Sequence, residues 1–321
     1  EMDGVFKDSL VPNFLAAVDY EQEDLWLDYA NQLLRKRLDD AQTWEPLLRS
    51  LIYVAENEEY DRFGALIKHF YDFSKKNPSS RIRSYQNQFY RNLVKHEFSE
   101  PGTLVWKAPA SLWALQFIEG EPQFDLELVD VVGLNGGDST MVMGVNGVFY
   151  PRKGLLKAQG GTLIWSRAGQ LEREVYAELG SWSLKVNQSN FKADSVTLFA
   201  SEFYDEPLEG VLEERISSVN LKDARFPKFT SYRNDYILEN LYPEVHFKGG
   251  LGAAGAQFYG TASDSALAAL KFTYKSDTVL TLKGRSFLFK DSLLSSKRVE
   301  VIAHLGSDSI YHPYCEMRYD P

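Results

Sequence analysis

From about residue 20 to residue 98 the apolar residues return at helical spacing. The clearest case is Phe63, Leu66, Ile67, Phe70 and Tyr71, which fall at i, i+3, i+4, i+7 and i+8 and so share one helix face. The same spacing predicts helices near 23–38 (Leu25, Tyr29, Leu33, Leu34), 44–56 (Trp44, Leu48, Leu51, Ala55) and 80–97 (Ile82, Tyr85, Phe89, Leu93), making four in all. Their ends agree with this: Arg35–Arg37 and Lys75–Lys76 fall in last turns, where cations meet the negative end of the helix dipole. Asn77-Pro78 stops one helix and leaves Ser79 or Ser80 to cap the next. Connections this short favour antiparallel neighbours in a helical bundle or helical repeat.

Past the breaker Glu100-Pro101-Gly102 the period changes from that of a helix to that of a strand. Val175, Ala177 and Leu179 alternate with polar neighbours, as do Trp182, Leu184 and Val186. So do Ala268, Leu270, Phe272 and Tyr274, and lastly Val299, Val301, Ala303 and Leu305. One face of each strand is core and the other is wet, the mark of an antiparallel or solenoid-like sheet and not of the doubly covered sheet of an α/β fold. The expected fold class is therefore α+β: a helical domain over 1–100, then a β-rich domain over 101–321. Asp-Ser pairs punctuate the second half at Asp138-Ser139, Asp194-Ser195, Asp264-Ser265, Asp291-Ser292 and Asp308-Ser309, with Asp277-Thr278 as a variant. After Asp264 they follow at steps of 13, 14 and 17 residues, the length of a strand–turn–strand unit. Such side chains bond the backbone of a tight turn just before a strand, whereas a calcium repeat needs more carboxylates at a stricter period.

Composition narrows the function classes. The 321 residues suffice for about two domains, and a 44% hydrophobic content fills a core in both. The net charge of −10 argues against a whole-protein field for nucleic acid or anionic lipid. Cys315 is the one cysteine, so no intrachain disulfide forms. The longest apolar runs, Phe14–Val18 and Ala266–Leu270, are far too short to cross a bilayer as helices, and residues 1–20 show no signal-peptide pattern, so none is expected in this chain.

Several motifs carry a chemical reading that their surroundings weaken. Gly250-Leu-Gly252-Ala-Ala-Gly255 matches the dinucleotide fingerprint, but Ala256–Gly260 reads as a strand where a cofactor loop must open a helix, so no cofactor is expected. The histidines, His69, His96, His246, His304 and His312, lack metal-ligand spacing. His312, Cys315 and Glu316 lie near one another, yet strand alternation puts His312 and Cys315 on opposite faces, and no metal site is expected there. Neither a GxSxG elbow, a cysteine-protease signature nor a P-loop appears. Carboxylates crowd at Glu202, Asp205, Glu206, Glu209, Glu213 and Glu214, where a pair could serve glycoside hydrolysis; a solvated turn is the plainer account. Trp165 or Trp182 could stack on sugars, though alternation assigns Trp182 to the core. Residues 62–95 hold eight lysines and arginines against Asp72 alone, with Tyr71, Tyr85 and Tyr90 interleaved, which reads as two solvated helix faces or as a site for phosphate-bearing or acidic partners. The sequon Asn187-Gln-Ser189 carries little information.

Six stretches of the β half resemble one family: very large exported proteins of Bacteroidota, much longer than this chain and without an established activity. They are GGTLIWSRAG (160–169), EVYAELGSWSL (174–184), ADSVTLFASEFYDEPLEGVLEERI (193–216), FPKFTSY (226–232), VHFKGGLGAAGAQFYG (245–260) and HLGSDSIYHPYCEMRYD (304–320). The resemblance implies a cell-envelope setting, periplasmic or exported, and a β domain that continues in a longer parent chain. It supplies no catalytic or ligand-binding residues. The expected function is a non-enzymatic structural or interaction module, with a protein partner or the rest of the parent chain as its counterpart; in one variant the sheet is an open trough for lipid. The alternative is a glycan-binding module or glycoside hydrolase using a carboxylate pair within Glu202–Glu214.

Overall fold

Helical periodicity becomes helices, and alternation becomes strands, on either side of residue 100. The structure, a computed structural model, describes residues 10–17, 22–57, 60–100, 102–109, 112–171, 174–201, 204, 206–217, 225–263, 266–290 and 293–320. Its helices are α1 (Val11–Ala17), α2 (Glu23–Arg35), α3 (Ala41–Asn57), α4 (Tyr60–Lys76) and α5 (Ser79–Lys95). Four lie where helices are expected and α1 is an addition, but Leu34 of α2 and Ala55 of α3, expected on buried faces, are exposed. Helix α3 begins three residues before the expected start because Asp40 Oδ1 accepts the Thr43 N–H at 3.0 Å. Pro46, which has no N–H to give Gln42, is tolerated this early, and Asn87 Nδ2 lies 3.5 Å from the Gln42 carbonyl. Neither Ser79 nor Ser80 caps α5. The N-cap is Pro78, and the Ser79 hydroxyl donates instead to the Lys36 carbonyl at 3.0 Å, while Lys36 Nζ donates to Asn77 O at 2.8 Å.

The strands are β1 (Leu104–Lys107), β2 (Leu112–Ile118), β3 (Glu121–Asn135), β4 (Asp138–Tyr150), β5 (Leu155–Gln159), β6 (Thr162–Ile164), β7 (Val175–Glu178), β8 (Ser181–Lys185), β9 (Asn190–Ala200) and β10 (Leu208–Arg215). They continue with β11 (Lys228–Ser231), β12 (Tyr236–Tyr242), β13 (Val245–Ala254), β14 (Gln257–Thr261), β15 (Ala268–Tyr274), β16 (Asp277–Gly284), β17 (Ser286–Lys290), β18 (Leu293–Leu305) and β19 (Asp308–Tyr319). The described pairings are antiparallel, so the chain is an α+β protein with a helical N-terminal region and a large antiparallel sheet region.

Compactness divides the chain differently from secondary structure. The first unit takes in Glu1–Gly136, Met141–Gln159 and Ser183–Ser189, so the helices share a core with the earliest strands. Tyr29 stacks on Phe70 with ring centres 6.3 Å apart, and Gln86 Nε2 donates to the Tyr29 hydroxyl at 2.5 Å. Phe89 then meets Phe124 of β3 at 5.6 Å, which carries the helical core onto the sheet. Trp113 and Phe98 stack at 4.8 Å, and both lie beside Phe149 of β4.

The second unit takes in Gly137–Thr140, Gly160–Trp182 and Asn190–Pro321. Strand β13 is its hub, pairing with β12 and β15 through its first half and with β11 and β14 through its second. Trp165, Phe229, Phe247, Phe258, Phe287 and Phe289 are buried, and Phe247 meets Phe289 at 5.3 Å. Each aromatic ring removes a large apolar area from water, so this interior is packed with side chains. Trp182 is buried against Phe191 at 4.6 Å, its assigned core position.

Among the Asp-Ser pairs, Asp138-Ser139, Asp277-Thr278 and Asp308-Ser309 begin strands β4, β16 and β19 as expected. Asp194-Ser195 does not. It sits inside β9 at a bulge opposite Gly210–Leu212, with Ser195 at a φ of 56° and its N–H bonded to the Tyr232 hydroxyl at 2.8 Å. Asp264-Ser265 and Asp291-Ser292 lie outside the described residues.

Candidate functional site

The described carboxylates within Glu202–Glu214 are spread over both faces of β10 and a neighbouring hollow. Glu202 and Asp205 lie outside the described residues. On β10 alternation sends Glu209 and Glu213 to solvent and Glu214 inward. Glu213 lies 3.9 Å from Lys192, whereas Glu214 is fully buried. Its carboxylate accepts from Arg167 Nη1 and, at 2.8 Å, from the Arg215 N–H. Arg167 Nε lies 3.1 Å from Asp138 Oδ1, close enough for an ion pair but without hydrogen-bond alignment, and Arg167 Nη2 donates to the Arg215 carbonyl at 2.8 Å. Asp138 also accepts the N–H groups of Ser139 and Ser217 at 3.0 and 2.7 Å. One guanidinium thus serves two buried carboxylates. Burial pushes the Glu214 carboxyl above its ordinary range, and Arg167 opposes that shift. The cluster fastens the end of β10 to the start of β4 and to the turn after β6, which is a structural role.

Glu206 lines a separate hollow of about 400 Å³ with Tyr204, Arg233, Asp235 and Tyr236. Arg233 covers the Tyr236 ring at 4.6 Å and pairs with Asp235 at 3.1 Å. The Tyr204 hydroxyl donates to the Gly252 carbonyl at 2.8 Å.

The glycine-rich segment forms the β13–β14 hairpin, with Ala254 opposite Gln257, so the strand expected after it is present. Gly252 is needed for close approach: a Cβ there would lie 2.6 Å from the Tyr259 ring and 2.9 Å from the Phe229 carbonyl. Gly255 takes a φ of 56° in the turn.

The histidines are dispersed. His69 is bonded within the helical core, His96 stacks on Trp113 at 5.1 Å, His246 lies 2.6 Å from Glu239, and His304 lies 3.0 Å from Thr281. Among the described residues no three histidine, cysteine or carboxylate side chains gather as a metal site. The parity expected for His312 and Cys315 is overturned. His312 pairs with Val301 and Cys315 with Val299, because β19 carries an extra residue at Pro313-Tyr314. That bulge restores both residues to one face.

The site with the least explained surface is the end of the second unit's sheet. Strand β18 pairs with β16, β17 and β19, and among the described residues β19 pairs with β18 alone, so within them its outer edge presents unpaired main-chain groups. Tyr319 half-buries one end of β19 against Phe272 at 5.2 Å. Toward the other end both faces open to solvent: Leu305 and Ile310 are 59% and 61% exposed, and Tyr311 and Tyr314 are 58% and 59% exposed. Ile310 pairs with Ala303 and Tyr311 with Ile302, which sets Ile310 and Tyr311 on opposite faces. Pro313 has no N–H and breaks the edge into two stretches, Asp308–His312 and Cys315–Tyr319. The sequence signals valine-rich alternation here but not that the strand outruns its core. Comparison with protein-family models, with curated proteins and with solved structures finds no match for this chain.

Proposed function

We propose that this chain is a non-enzymatic structural or interaction module of a larger cell-envelope protein, joined to its counterpart through the open edge of β19. The observation that supports this reading is that, among the described residues, β19 is hydrogen-bonded on one side only while four large apolar side chains around it stand more than half exposed. Main-chain groups give strand addition its affinity, and alternate side chains give it selectivity. The stretch Asp308–His312 fits it best, since it lies clear of Pro313 and carries Ile310 and Tyr311. The counterpart is a strand from a partner protein or from more of the parent chain, and with neither present the open edge pairs with that of a second copy of this chain. The resemblance to exported proteins supports the envelope setting.

A photo-crosslinking residue in place of Tyr311 tests this in the intact protein. An adduct formed from that position, and absent when the same group replaces exposed Leu27, agrees with the proposal; equal labelling at both contradicts it. The glycan reading keeps one supporting observation, the hollow that sets Glu206 and Asp235 beside Tyr204 and Tyr236. Sugar-dependent binding lost in Glu206→Gln would favour it.

A further inference from the structure

The basic segment 62–95 resolves, once folded, into cations that are neutralised and cations that are not. Lys75 lies 3.6 Å from Asp72 and over the Tyr71 ring, Arg83 pairs with Asp40, and Arg91 pairs with Glu97. Lys95 lies over Tyr90 at 5.5 Å. Lys68, Lys76 and Arg81 have no ion-pair partner among the described residues, and all three line one cleft of about 580 Å³ in the first unit. Helical spacing explains the convergence: Lys68 and Lys76 are two turns apart on one stripe of α4, and Arg81 follows in the first turn of α5. The facing wall is the β2–β3 hairpin with Arg152. Its Glu121 is engaged by Arg152, and Asp72, which lines the cleft between Lys68 and Lys76, pairs with Lys75, which leaves Glu119 as the acid of the lining without an ion-pair partner among the described residues.

The cleft is held in shape from below. The Gly120 carbonyl can only accept, so His69 carries its proton on Nδ1 and donates to Gly120 at 3.1 Å. Nε2 then accepts from the Tyr85 hydroxyl at 2.9 Å. Through His69 the hairpin turn is tied to both helices that supply the cations. A cleft of this volume suits a small ligand, and several exposed cations converging on it without ion-pair partners suit an anion carrying more than one charge.

We infer that this cleft binds a phosphate-bearing ligand, a free phosphate ester or the headgroup of a phospholipid, through Lys68, Lys76 and Arg81. Arg81 offers the planar fork that matches phosphate oxygens, and the lysines add point charges around it. The site is independent of the β19 edge and takes a different class of partner.

Calorimetric titration of the full chain with inorganic phosphate and with glycerol phosphate tests the inference. Saturable binding is expected with a dissociation constant below about 1 mM, weakened about tenfold or more in Lys76→Ala/Arg81→Ala. The control Lys271→Ala/Lys283→Ala, which removes two exposed lysines elsewhere, should bind as the wild type does. Flotation with phosphatidylcholine vesicles, with and without phosphatidic acid, separates the sources: dependence on phosphatidic acid that is lost in Lys76→Ala/Arg81→Ala marks a headgroup, and saturable phosphate binding without flotation marks a free ester. Absence of both kinds of binding overturns the inference. So does equal weakening in the control, or a preference for an acidic peptide over phosphate.

Discussion

Trp165 donates its indole N–H to the carbonyl of Gly255 at 2.9 Å, joining residues ninety positions apart in the buried interior of the second unit. The bond ties the turn after β6 to the β13–β14 hairpin. Trp165→Phe keeps most of the apolar bulk and leaves that carbonyl without its donor, which should cost about 1–3 kcal/mol. Chemical denaturation checks this, and the near-ultraviolet spectrum should retain the signals of the other tryptophans.

Arg167 supports two buried carboxylates, and the consequences of removing each partner differ. Arg167→Met strands Asp138 and Glu214 in the interior and should cost about 3–5 kcal/mol. Glu214→Gln keeps the shape and removes one charge, so its cost should be much smaller. Its pH dependence has a definite sign. Burial raises the folded pKa of Glu214 above the unfolded value, so the folded state holds the proton more tightly, and stability falls as pH rises through the folded pKa. The Gln variant should therefore gain on the wild type as pH increases in parallel denaturation series.

His69 gives the opposite trend in the first unit. Burial lowers its folded pKa below the ordinary value, against weaker pulls from the Gly120 carbonyl and Glu121. The unfolded chain takes up the proton first on acidification, so stability is full above about pH 6.5 and declines as pH falls toward the folded pKa. Thermal unfolding between about pH 7.5 and 5 should show that decline, and His69→Gln should flatten it. His96, also shifted down by burial, supplies the residual slope.

Gly252→Ala should destabilise by about 1–3 kcal/mol, because the added methyl meets a ring edge and a backbone carbonyl together. Urea denaturation of this variant beside Ala253→Gly separates overpacking from simple loss of side-chain volume.

Much of the fold was legible because each segment obeys one period. Phe63 to Phe70 and Ala268 to Leu270 fall where their spacing puts them, since burial rewards a single face in both cases, whereas Tyr274, expected on the same core face, lies past a register shift and is 57% exposed. What escaped was set by partners distant in sequence. Ser79 looks like a cap, but Lys36 claims its hydroxyl from 43 residues away. Asp194-Ser195 looks like a turn, but the register of β10 makes it a bulge. The parity of His312 and Cys315 failed for the same reason. Charge count located the segment 62–95, yet which of its cations remain unpaired depends on Asp40 and Glu97, and no local pattern reports that.

The open edge of β19 is tested most directly by sedimentation velocity over about 1–100 μM chain, comparing the wild type with Ile310→Lys/Tyr311→Lys. Both changes lie on exposed strand positions and should leave the melting temperature unaltered at concentrations low enough for the wild type to be monomeric. The account predicts concentration-dependent association of the wild type by edge pairing, abolished in the double variant. A wild type that stays monomeric throughout, or a double variant that associates equally well, would contradict it.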